Sequence, residues 1–121
     1  MAKINSRAKG ARGEREFRDE LRKQGYTARR GQQFSGSPDS PDVICEDLPE
    51  LHFEVKRVES LQLYTAMEQA RRDAGEHKTP VLAHKKNGKD WVVVMDLQDW
   101  FELLRKAKQH DCNDTKKETP S

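Results

Sequence analysis

Apolar residues along the chain fall into short periodic clusters separated by polar, Gly- or Pro-bearing stretches, and the period of each cluster predicts an element. Phe17 and Leu21, four apart, mark the inward stripe of a helix over residues 6–24, with Ser6 as its N-cap and Gly25 as its stop. Gly10 and Gly13 weaken its first turns. Glu14, three before Phe17 and seven before Leu21, lies on the same stripe, so a carboxylate is aimed at the interior or at a cleft edge. Residues 26–30 (YTARR) read as a short strand and 31–41 (GQQFSGSPDSP) as a loop. Residues 42–46, a turn at 47–50 and residues 51–58 read as an antiparallel hairpin. Alternation in its second strand sets His52, Glu54, Lys56 and Val58 on one face, with Phe53 and Val55 on the other.

Leu63, Ala66, Met67, Ala70 and Ala74 then follow the i, i+3, i+4, i+7 pattern of a second helix, capped by Ser60 and ended by Gly75. Residues 80–85, an Asn87-Gly88 turn and residues 91–96 form a second hairpin. The helix between the hairpins is long enough for a right-handed crossover between parallel strands. Asp96 is placed to cap a last helix with Leu97, Trp100, Phe101 and Leu104 facing inward. Trp91, Trp100 and Phe101 are assigned to the core, with an interface as the alternative. The expected order is α-β-β-β-α-β-β-α, an α/β fold with a mixed sheet and no internal repeat. Residues 1–109 form the expected domain and 110–121 a disordered polar tail.

Composition changes this picture in two ways. With 121 residues, 36% charged and 33% hydrophobic, the chain is one folded domain with a lean core. Its formal charge of +2 hides an asymmetry: residues 1–30 carry ten Lys or Arg against four Asp or Glu, a local +6 that leaves −4 for the rest. Such a basic end suits a polyanion, and DNA or RNA more than a membrane surface; a solvated amphipathic helix is the bland alternative. Two cysteines, Cys45 and Cys112, make neither a disulfide framework nor a zinc spacing. The absence of a long apolar run or signal-peptide pattern leads to the expectation of a cytoplasmic protein without a membrane partner.

The charged face of the strand at 51–58 is what calls for explanation, because charge inside a sheet is costly unless paired, solvated or bound to a metal. Asp42 starts one strand of the first hairpin and Glu54 lies in the other, so both carboxylates reach the same end or face of the sheet. Converging oxygens of this kind suit a hard cation such as Mg2+ that keeps waters for a phosphate substrate. Lys56, two residues on, projects from the same side and could act on an attacking water or on phosphate charge. Each residue also has a plain reading: Glu54 and Lys56 as a solvated strand face, Glu14 as an i, i+4 partner of Arg18, His52 as a polar neighbour.

Taken in order, Pro41-Asp42 with Glu54-Val55-Lys56, preceded by RAKGARGEREF and RRGQQFSGSPDSPDVI, resembles the PD-(D/E)xK nucleases, in particular the archaeal-type Holliday junction resolvases and their phage relatives, over residues 6–100. The resemblance implies a restriction-endonuclease-like mixed five-stranded sheet flanked by helices. It implies that Glu14, Asp42 and Glu54, with the Val55 carbonyl, hold the metal, Mg2+ with Mn2+ as substitute, and that Lys56 is the catalytic lysine. Gln69 matches a polar position near the site, with an exposed helix residue as the alternative. Arg29 and Arg30 would contact the DNA backbone, as would Lys9 and Arg12 in the basic helix. The group's loop serine falls on Ser35, Ser37 or Ser40. No small-molecule cofactor is implied; a homodimer is, since a four-way junction has two-fold symmetry. The leading function is a Mg2+-dependent Holliday junction resolvase. The alternatives are a nuclease for flap, mismatch or duplex DNA, and a non-catalytic DNA-binding module.

Overall fold

The computed structural model describes the backbone of residues 6–31 and 42–118 and the side chains of residues 10–31 and 42–109. Its elements are α1 (Ser6–Lys23), β1 (Ala28–Arg30), β2 (Val43–Cys45), β3 (Leu51–Arg57), α2 (Leu63–Ala74), β4 (Thr79–Lys85), β5 (Val92–Val94) and α3 (Leu97–Glu118). The order is the expected one, and the five strands form one mixed sheet in the order β1-β2-β3-β4-β5. All pairs are antiparallel except β3 with β4. That parallel pair is the crossover spanned by α2, because a short turn cannot return a chain in the same direction.

Strand alternation divides the interior in two. Phe53 and Val55 face α1 and pack with Phe17, Ala28, Val43, Cys45, Val81 and Ala83. The Phe17 ring lies 5.3 Å from that of Phe53 and 5.2 Å from that of Trp91, so Trp91 belongs to this layer. On the other face Leu82 packs against Ala66 and Met67 of α2. His52 and Glu54, also on this second face by alternation, are buried as well. The central strand is therefore covered on both sides, as parallel pairing requires.

Gly13 has a role that helix propensity hides. A Cβ at this position would meet the Arg57 Cβ at 2.5 Å, so the residue lets α1 lie directly on the end of β3. Arg57 then turns its guanidinium to Glu16 of α1, Nε to Oε2 at 3.3 Å.

Several local expectations need correction. Ser60 lies too far ahead to cap α2, which starts after Gln62 without a side-chain cap. Asp96 does not use its side chain as a cap either: Arg71 of α2 takes both its oxygens, at 2.9 and 2.6 Å, and holds its carboxyl below the usual carboxylate range. The larger correction concerns α3. Leu97, Trp100, Phe101 and Leu104, expected inward, stand exposed, as does Leu103. The helical stripe is there, but none of the described residues covers it. The helix runs on to Glu118.

Candidate active site

The site is built where β2 and β3 pair. Val43 pairs with Phe53 in antiparallel register, which sets Asp42 opposite Glu54 on the face away from α1. Asp42 is buried, and its Oδ2 accepts the Val55 N–H at 2.8 Å, which fixes the carboxylate against the central strand. Its acidity shows what surrounds it. Burial, then the charge of Glu54, with a smaller push from Glu14, raise its pKa from 3.8 to about 7, against the opposing effects of the Val55 N–H and Lys56. Three carboxylates thus crowd one end of the sheet.

Glu54 is 4% exposed and occupies the centre of this group. Its Oε2 faces Lys56 Nζ at 3.9 Å, and its Oε1 faces His52 Nε2 at 3.5 Å without a hydrogen bond. Lys56 is partly exposed, so its ammonium sits between the buried acids and solvent. Glu14 reaches in from α1 and is held by Arg30, whose Nε donates to Oε1 at 3.0 Å. The alternative partner, Arg18, donates to Asp19 instead. Val55 adds a backbone N–H here, and its side chain belongs to the core.

The other expected residues divide by position. Arg12 and Arg29 are exposed at the α1 and β1 surface, paired with Glu16 at 3.1 Å and Glu46 at 3.4 Å. Exposed pairs of this kind are weak and leave the guanidinium available to a phosphate. Arg30 is more committed, through Glu14. Gln69 is half-buried on α2, one turn before Asp73. The side chain of Lys9 and all of Ser35, Ser37 and Ser40 lie outside the described residues.

Sequence reasoning missed Asp73 and gave His52 a minor place. With Glu54 they form a group whose ligating atoms all lie within 4.8 Å of one another. Asp42 and Glu14 are not in that group, although their charges act on the same end of the sheet. The available signals were faint. His52 alternates onto the Glu54 face, and Asp73 is three residues past Ala70 on the inward stripe of α2.

A divalent cation fits this donor set. Two buried carboxylates face each other, one with a raised pKa and one with an oxygen that lacks a hydrogen-bond donor. A cation between them would offset their repulsion, as oxygen-ligand sites for hard metals do.

No curated protein and no solved structure matches the chain. A family model described as "Phage putative PDDEXK endonuclease" matches residues 5–119, which takes in every element described above and the Asp42, Glu54 and Lys56 positions of the motif. The chain belongs to this family of phage PD-(D/E)xK endonucleases.

Proposed function

We propose that the protein is a metal-dependent DNA endonuclease that cuts branched DNA, foremost the four-way junction, as a homodimer in the cytoplasm of the infected cell. The observation that carries the nuclease reading is the pairing of Asp42 with Glu54 across β2 and β3, with Lys56 beside them at the solvent boundary. Asp42, Glu54 and the Val55 carbonyl would hold Mg2+, or Mn2+ in its place, with Glu14 acting from α1. The bound ion would supply charge stabilisation and an acidified water. Lys56 would orient an attacking water and meet developing charge on the phosphate. Gln69 lies on the helix that covers this face and is assigned to positioning. Lys9, Arg12, Arg29 and Arg30, with Ser35 and Ser37 of the adjoining loop, are assigned to the DNA backbone. The local +6 of residues 1–30 supports that surface, since phosphate contacts dominate affinity for DNA.

The dimer is assigned to α3. Its apolar stripe of Leu97, Trp100, Phe101 and Leu104 is exposed among the described residues. A second copy laid on this face would cover it. Two symmetric active sites would then suit the two-fold symmetry of a junction.

The test is a panel of labelled four-way junction, flap and linear duplex, each incubated with Mg2+ and with chelator. The expected result is metal-dependent cutting with the junction cut fastest. Equal cutting of all three would overturn the junction preference, and cutting in chelator would overturn the metal.

A further inference from the structure

We propose that His52, Glu54 and Asp73 form a second divalent-cation site, beside the one assigned to Asp42 and Glu54, and that it takes a first-row transition ion such as Mn2+ or Zn2+ in preference to Mg2+. The two sites share Glu54, whose oxygens diverge: Oε2 faces Lys56 and Oε1 faces His52. The second site lies deeper, against α2, and uses no residue of the PD-(D/E)xK motif other than Glu54.

Three observations carry this. First, His52 Nε2 and Glu54 Oε1 are buried and have no hydrogen-bond partner, in residues only 1% and 4% exposed. Leaving such atoms unsatisfied costs free energy, and native folds rarely do so without a water or ion. Second, the spacing is wrong for a hydrogen bond and right for two ligands of one ion. The two atoms are 3.5 Å apart without hydrogen-bond geometry. Two donors bound to one metal at about 2.0–2.2 Å sit roughly 3.0–3.6 Å from each other at octahedral to tetrahedral angles. Third, Asp73 brings an independent carboxylate from α2 to within 4.8 Å of both, and it is only half-buried, so an ion can enter along the helix edge.

The donor chemistry selects the ion. One imidazole and two carboxylates suit Mn2+, Zn2+ or a neighbour in the first row, whereas Mg2+ favours an all-oxygen shell and keeps most of its waters. Helix α2 and strand β3 would be tied together through this ion.

The experiment uses metal-stripped, full-length protein with Mn2+ alone and no DNA, so the result does not depend on the nuclease reading. Pulsed electron paramagnetic resonance reads nitrogen coupling from a bound imidazole. Wild type at saturating Mn2+ should show that coupling, excess Mg2+ should not remove it, and H52Q should lose it. D73N, whose substitution is nearly isosteric and half-exposed, should weaken Mn2+ at this site by more than about tenfold, since even an outer-sphere change costs 10–100-fold. D42N should keep the nitrogen coupling. Absence of coupling in wild type overturns the proposal, as does its persistence in H52Q or its removal by Mg2+. If H52Q fails to fold, wild type and D73N decide.

Discussion

At the scale of single residues, Asp42 gives the sharpest consequence of the geometry. Its pKa lies at about 7 in the folded chain and at 3.8 as an ordinary carboxyl, so between those values the folded state binds the extra proton. Stability from this group is therefore present at low pH and is lost as pH rises through about 7 in the absence of metal. D42N removes the charge but keeps an oxygen to accept the Val55 N–H. We expect it to stabilise the metal-free protein at pH 8 by on the order of a few kcal/mol and to change little at pH 4, as read by urea denaturation. A variant that is less stable than wild type at pH 8 contradicts this account of the site. The paired acids and the lysine were legible in the sequence because a strand period of two places them by counting. His52 and Asp73 were not, because their meeting depends on how α2 lies on β3, which no local spacing encodes.

At the scale of elements, period and turn chemistry located the strands and the first two helices to within a few residues, and the start but not the end of α3. Their capping and burial were less legible. Ser60 and Asp96 are good capping residues by type, but the helix starts were set by packing and by the Arg71–Asp96 pair. Gly13 looked like a weakness in α1 and is a contact with Arg57. The α3 stripe shows most clearly what periodicity omits: it says that a face is to be covered, not by which chain. From that face we expect W100E and L104E together to convert a dimer to a monomer in sedimentation equilibrium, with the far-ultraviolet circular dichroism of the core retained. A wild type that sediments at 14.0 kDa at all concentrations overturns the α3 assignment.

At the scale of the whole molecule, a five-stranded mixed sheet with one parallel crossover brings residues from α1, β2 and β3 to a single end, and Arg30 of β1 borders it through Glu14. The topology was legible because a short turn can only give an antiparallel neighbour and a helical connection allows a parallel one. Substrate preference was not, because no local spacing encodes which DNA shape a surface fits. No helix among the described residues is long and apolar enough to cross a membrane. The central claim is that Asp42, Glu54 and Lys56 are the catalytic centre of a metal-dependent nuclease. Its most direct measurement is single-turnover cleavage of a labelled four-way junction with Mg2+ by wild type, E54Q and K56M, with binding measured alongside in chelator. The account predicts cutting by wild type only, with at least about 100-fold loss in each variant and junction affinity within a few-fold of wild type. Cutting at the wild-type rate by either variant, or no cutting by any protein while the junction is bound, would contradict it.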